Sequence, residues 1–322
     1  MGEIIPFAGN PLDRAANQRR DEAWLAAQFG AAGGRYLPFW RLNVLTSTAG
    51  IDAQAALHWL DSGVCGRLGD GTVPLLLGLR DGVAHFAVDL SALADPIAEL
   101  CIEGAAFTDA RQAGGTLPAE EAGILAQARS LLEWHTRNRF CGSCGSPTAV
   151  AAGGAMRRCT ACGAEHFPGP HAVVIMVVWR GDRCLLGSGR GWGGKRYSAL
   201  AGFMDHGETI EEAVAREVYE EVGLHVDQVE YHASQPWPFP MSLMIGCFAH
   251  VSDEAVTVDE EELAGVRWFS REEIRQALAA PESVDFGVPG RIAIAHHLIK
   301  AWAEQFPSAG RTAHPYPRNG QP

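Results

Sequence analysis

Residues 202–224, GFMDHGETIEEAVAREVYEEVGL, constrain the fold most tightly. Seven acids and one arginine occupy positions 205–221. Glu217, Glu220 and Glu221 stand at i, i+3 and i+4, so they share one face of a helix expected over 210–222. Like charges at such spacings repel by roughly 0.2–0.5 kcal/mol per pair. Val214, Val218 and Val222 form an apolar stripe at i, i+4 and i+8, which must pack on a core. That stripe lies roughly a quarter turn from the glutamate ridge, so the acids border the core. A hard divalent cation bridged by carboxylate oxygens would relieve the repulsion, and magnesium, which accepts phosphate co-ligands, fits a diphosphate substrate.

The chain has 322 residues, too many for one ordinary core. A hydrophobic share of 47% with 20% charged residues is globular composition. The net charge of −12 argues against a general nucleic-acid or anionic-membrane binder. No apolar run reaches the roughly 18 residues of a membrane helix, and the first residues lack the apolar core of a signal peptide. The expectation is a soluble cytoplasmic protein without a membrane partner.

Four of the eight cysteines fall as Cys141-x-x-Cys144 and Cys159-x-x-Cys162, with 14 residues between the pairs. That spacing fits a four-thiolate tetrahedral zinc site, and four protein ligands leave no open position, so the zinc should be structural, one per chain. Cys65, Cys101, Cys184 and Cys247 lie scattered in apolar contexts and read as free thiols.

Strand signals cover 35–45 and 72–89, the second as a hairpin of 75–79 with 83–88 across Arg80-Asp81-Gly82. A helix is expected over 119–137, with Ile124, Ala128, Leu131 and Leu132 inward. Beyond the cysteines, strands are expected at 171–180, 183–188, 197–201, 226–233, 243–251 and 265–269, with helices at 271–279 and 292–305. The domains expected are 1–135 (mixed α/β, structural or dimerising), 136–168 (zinc module), 169–306 (catalytic) and a disordered tail, 307–322. The segment SQPWPFPMS, 234–242, holds three prolines and two aromatics between two strands. Proline lacks the ladder donor, so this piece is expected to be an ordered loop outside any central strand.

The pattern Gly202-x5-Glu208-x7-Arg216-Glu217-Val218-x-Glu220-Glu221-x-Gly223-Leu224 is similar to the Nudix box in every fixed position. The segment SQPWPFPMS and the preceding four-cysteine module resemble the NADH pyrophosphatase (NudC-type) branch of the Nudix hydrolase superfamily. The resemblance implies an α/β (α+β) protein: an α/β/α Nudix sandwich with a mixed sheet behind a zinc ribbon and an N-terminal domain. It implies hydrolysis of NADH or NAD to NMNH or NMN plus AMP, removal of NAD caps from RNA as a second activity, and a homodimer.

Carried onto this chain, the resemblance assigns the Ala201 carbonyl, Glu217, Glu221 and Glu262 to magnesium or manganese. Glu220 becomes a further ligand or the base that activates water, and Glu261 is the neighbour competing with Glu262. Gln235, Pro236, Trp237, Pro238, Phe239, Pro240, Met241 and Ser242 would line the substrate site, with Phe203 and Phe167 stacking on it. Ala295 would approach through its backbone. Arg137, Arg139, Arg157 and Arg158 flank the cysteines and are candidates to hold an RNA strand. The residues leave open a Nudix enzyme for ADP-ribose or a dinucleoside polyphosphate, and a non-catalytic zinc-ribbon nucleotide sensor.

Overall fold

The computed structural model describes residues 5–29, 31, 33–47, 55–68, 72–304 and 314–315. Two compact units emerge: Met1–Pro170 with Pro236–Met241, and His171–Gln235 with Ser242–Pro322.

The first unit contains α1 (Glu22–Phe29), β1 (Arg35–Trp40), β2 (Asn43–Ser47), β3 (Leu75–Arg80), β4 (Val83–Asp89), α2 (Pro96–Glu99), β5 (Ala105–Thr108), α3 (Ala110–Gly114) and α4 (Ala119–Arg137). Its five-stranded sheet has the order β3-β4-β1-β2-β5, with β1 and β4 parallel. Tyr36, Leu45, Leu76, Phe86 and Val88 are fully buried in its core. The strand signals over 35–45 resolve into the two strands β1 and β2. The turn between them places Arg41 and Leu42 at φ 51 and 62, left-handed values adopted without a glycine to announce them. In α4, Ile124, Ala128 and Leu132 are buried and Leu131 is half-buried, as the spacing predicts. The ribbon adds β6 (Thr148–Ala151), β7 (Met156–Cys159) and β8 (Glu165–His166) in one three-stranded sheet.

The second unit contains β9 (His171–Arg180), β10 (Arg183–Gly189), β11 (Leu200–Phe203), α5 (Ile210–Val222), β12 (Val226–Trp237), β13 (Ser242–Val251), β14 (Leu263–Ser270), α6 (Arg271–Ala279), α7 (Ile294–Glu304) and β15 (His314–Pro315). The sheet order is β14-β10-β9-β13-β12-β15, with β11 added to β9. β9 and β13 run parallel, while β10 pairs antiparallel with β9 and β14. Alternation along the strands makes two cores. Val174, Met176, Val178, Ile245, Cys247 and Ala249 join the Val214, Val218 and Val222 stripe of α5. On the other face, a Cβ added to Gly246 would lie 2.9 Å from Ile294 Cδ1, so glycine lets α7 press onto β13. The result is the α/β/α sandwich with a mixed sheet.

Several boundaries moved. The strand expected at 197–201 is β11, Leu200–Phe203; Tyr197 and Ser198 instead bond to Gly287 and Gly187. β12 continues past 233 through Pro236 to Trp237. Among the described residues β15 pairs with β12 only at Gln228 and Val229, and no described strand covers that side of the later part of β12, where a proline is tolerated. The helix expected over 292–305 is α7, Ile294–Glu304. Of the tail, His314–Pro315 forms β15, and the remaining positions of 307–322 lie outside the described residues. No helix among the described residues is long and apolar enough to cross a membrane.

Candidate active site

Helix α5 is fixed at both ends. Thr209 Oγ1 accepts from the Glu212 amide at 3.2 Å, and the Glu212 carboxylate accepts from the Thr209 amide at 2.6 Å, a capping box. Gly223 closes the helix at φ 71, where its amide donates to the Tyr219 carbonyl at 2.8 Å. The register between these caps buries Glu217 and Glu221 at 8% and 5% exposure and leaves the Glu220 side chain 55% exposed.

Gly202, on β11, explains why the motif begins with glycine. A Cβ there would lie 1.9 Å from the Glu217 carboxylate carbon. The missing side chain is the space the carboxylate occupies. Gly202→Ala should therefore displace Glu217. We expect the half-saturating magnesium concentration to rise by about tenfold or more. Magnesium titration of activity checks this; an unchanged titration would mean Glu217 does not govern metal binding.

Arg216 organises the loop before the helix. Its Nε donates to Glu208 Oε1 at 2.6 Å and its Nη2 to Glu208 Oε2 at 2.9 Å. Nη1 donates to Glu217 Oε1 at 2.8 Å and Glu220 Oε2 at 2.9 Å, and Nη2 also reaches the Phe203 carbonyl at 2.9 Å. The Arg216 hydrogen bonds hold Glu208 below the usual carboxylate range. Burial raises Glu217 despite the bond from Arg216. Burial, then the charges of Glu217, Glu262 and Glu220, push Glu221 up to about 8. Its Oε2 is buried without a hydrogen-bond partner. The segment 257–263 docks on the end of α5 through Thr257 N to Val222 O at 2.9 Å and Asp259 N to Glu221 O at 3.0 Å. That docking sets Glu262 so that its charge raises Glu217 and Glu221.

An orphaned buried carboxylate oxygen among like charges is the environment a divalent cation fits. Glu217 and Glu221 would supply the hard oxygens of such a site; Ala201, exposed on β11, carries the carbonyl that the family resemblance assigns alongside them. The carboxylates do not close on one point. Among the described residues, the four cysteines are the only such cluster with ligand atoms all within 4.8 Å.

In the ribbon, Cys141 and Cys162 Sγ are 3.8 Å apart and Cys144 and Cys159 Sγ 3.5 Å. A tetrahedral ion with Zn–S near 2.3 Å requires edges of about 3.8 Å. The surroundings donate to sulfur: the Ala161 and Cys162 amides reach Cys159 Sγ at 3.4 Å each, and His166 Nε2 lies 3.3 Å from Cys141 Sγ. Hydrogen bonds from Ser146 lead in pulling Cys144 down to about 6. The donor set is that of a structural zinc site.

The flanking arginines divide. Arg157 is buried, with its guanidinium on the Thr148 hydroxyl and carbonyl at 2.7 Å each and on His135 Nδ1 at 3.2 Å. It braces the ribbon on α4 and is not available to an RNA strand, a correction to the sequence expectation. Burial holds that histidine down at about 4. Arg137 and Arg158 are exposed but paired with Glu133 and Glu165, at 2.6 and 3.0 Å. Arg139 is exposed.

Phe203 and Phe167 are exposed at 62% and 59%, and the Phe203 ring meets His171 edge-on at 6.2 Å. Gln235 is wholly buried: its Oε1 accepts from Ile294 N at 2.8 Å and its Nε2 donates to the Ile292 carbonyl at 2.8 Å. Its amide thus pins the start of α7, which carries buried Ala295. Pro238 and Met241 are buried, Pro236 is exposed, and Trp237, Phe239, Pro240 and Ser242 are half-buried. The ring of Trp237 lies 5.2 Å from that of Phe239, and both meet Phe7 edge-on at 5.9 and 5.8 Å. No local pattern in the sequence signals these distant partners, nor the clasp of Arg216 on Glu208.

The chain matches the NUDIX domain over residues 169–286, the NADH pyrophosphatase-like rudimentary NUDIX domain over 33–134 and the NADH pyrophosphatase zinc ribbon domain over 136–167. Human NAD-capped RNA hydrolase NUDT12 is 44% identical over 196 residues, covering 58% of this chain and 42% of that protein. The chain therefore spans less than half the length of that relative. Nudix hydrolase 19, chloroplastic, of Arabidopsis thaliana is 34% identical over 336 aligned positions, covering 85% and 76%. NAD-capped RNA hydrolase NudC of Mycobacterium bovis is 39% identical over 236 residues, covering 71% and 75%. With the glutamate helix, the four-thiol ribbon and these matches together, the chain belongs to the Nudix family, in its NADH pyrophosphatase branch.

Proposed function

We propose that this protein hydrolyses the diphosphate bond of NADH and NAD, releasing NMNH or NMN together with AMP. The observation that carries the reading is the buried Glu217–Glu221 pair: the Glu217 carboxylate fills the space left by Gly202, and Glu221 Oε2 has no hydrogen-bond partner. Magnesium or manganese held by these acids and by the Ala201 carbonyl would offset phosphate charge and acidify a bound water. Arg216 holds Glu217 and Glu220 in register. Glu220, the exposed member of the ridge, takes the proton of the attacking water. Oxygen from that water joins one phosphorus, and the bridging P–O bond breaks. Phe203 and Phe167 stack on the dinucleotide, and the loop from Gln235 to Ser242 selects it. Glu262 completes the acid set.

Removal of NAD caps from RNA is a second activity of the same bond cleavage, favoured by the names of the human and mycobacterial relatives. Arg139 is exposed for the strand, and Arg137 and Arg158 are exposed beside it in their pairs with Glu133 and Glu165. The reading includes a structural zinc per chain, a homodimer and a cytoplasmic location; sedimentation checks the dimer.

Side-by-side hydrolysis of NADH, NAD, NAD-capped RNA and ADP-ribose tests the substrate. We expect AMP from NADH to dominate; no metal-dependent AMP release from any dinucleotide would favour the nucleotide sensor instead. Glu220→Gln should lower kcat about a hundredfold with the melting temperature little changed. A wild-type rate would remove Glu220 from the role of base.

A further inference from the structure

We infer that Arg129 and Arg111 are positioning residues for substrate choice: they hold the loop Pro236–Met241, and through it set the preference for a nicotinamide dinucleotide. The inference rests on the reading that this loop selects the dinucleotide.

The loop's chemistry asks for outside donors. Three prolines remove three amide donors, while the carbonyls remain and must be satisfied. Arg129 meets that need, with Nη1 donating to the carbonyls of both Pro238 and Pro240. Both carbonyls flank Phe239, and the Arg129 guanidinium carbon sits 4.9 Å from that ring's centroid. Arg111 lies 4.9 Å from the Trp237 centroid and 5.0 Å from that of Phe239. Both distances fall within cation–π range.

The holders are themselves held. Glu133, nine-tenths buried, faces Arg129 at 3.8 Å and bonds Arg137 at 2.6 Å. Asp109 caps α3 by accepting from the amides of Arg111 and Gln112 at 3.0 Å each. Phe7 is 1% exposed and packs on Gly114, where an added Cβ would lie 2.2 Å from Phe7 Cε1. The loop's two rings are therefore engaged by two guanidinium groups and a third ring. They brace the loop, and substrate choice acts through the conformation they hold.

A bracing role predicts a split in the kinetics. In Arg129→Met, KM for NADH should rise about tenfold, the scale of one lost charge-assisted hydrogen-bond pair. kcat for NADH, and kcat/KM for ADP-ribose, should stay within about twofold. Arg129→Lys keeps the charge but loses the planar fork, so its KM should fall between the two. Arg111→Met, at an exposed position, should shift KM the same way by a smaller factor, and it carries the test if Arg129→Met does not fold. A folded Arg129→Met or Arg111→Met with unchanged KM for NADH overturns the inference. So does an equal loss on both substrates, which would mark the arginines as structural only. Wild-type protein that cleaves ADP-ribose but not NADH would instead sink the proposed function, and this inference with it.

Discussion

Glu221→Gln should abolish metal-dependent hydrolysis, lowering kcat by about a thousandfold or more, while making the magnesium-free protein more stable at pH 8 than the wild type. The two effects share one cause. Glu221 is buried at 5% exposure with an oxygen that has no partner, among the charges of Glu217, Glu262 and Glu220. These conditions suit a divalent cation and penalise a bare carboxylate. The sign follows from linkage. The carboxyl titrates near 4.5 when unfolded and at about 8 in the fold, so between those values the folded state binds the extra proton. Its contribution is fully present below pH 4.5 and is lost as pH rises through 8. Wild-type protein freed of magnesium and manganese, with zinc left in place, should lose melting temperature across that window. Glu221→Gln should lack that part of the slope, and the difference between the two curves isolates this group from others that titrate. Divalent metal should restore the wild type and leave the variant unmoved. Parallel curves for the two proteins, or substantial activity in the variant, would place the ion elsewhere.

The elements whose ends carry their own chemistry were legible in the sequence. The expected limits of α5 match because Thr209 and Glu212 announce its start and Gly223 its end. Those of α6 match because Ser270 and Glu273 form a second capping box. β9 matches and β10 starts where expected, ending one residue later at Gly189, because Gly181, at φ 58, turns between two apolar runs. The β1–β2 turn was not legible, since Arg41 and Leu42 take left-handed backbone that their residue types do not advertise. The course of β12 through Pro236 depends on which strand lies beside it, a property of the whole sheet.

The site shows the same division. Helical spacing alone brings Glu217, Glu220 and Glu221 together. The grip of Arg216 on Glu208 crosses eight positions out of helical register, and that of Arg129 on Pro238 spans 109. Only the fold pairs them. The prolines of 236–240 were legible as rigid; that their carbonyls answer to α4 was not.

Removal of zinc should unfold the ribbon while the Nudix sheet stays folded. β6, β7 and β8 have four, four and two residues, and their buried apolar side chains besides cysteine reduce to Met156. So small a sheet cannot offset the entropy of ordering its chain by burial alone. Four thiolates on one ion can, since structural zinc contributes on the order of 10 kcal/mol to folding. Arg157 then works in both directions. With the ribbon folded it bonds Thr148 and His135; with the ribbon open its neutral histidine partner is exposed to protonation. Hydrogen exchange should show the amides of β6 and β7 losing protection on zinc release, with those of β9 and α5 unchanged, since the latter depend on the Val174–Val218 core. Elemental analysis should find one zinc per chain, and thiol reagents should reach Cys141 and Cys159 only after its release. Full protection of β6 and β7 in zinc-free protein would show that the ribbon's packing, rather than its thiolates, holds it together.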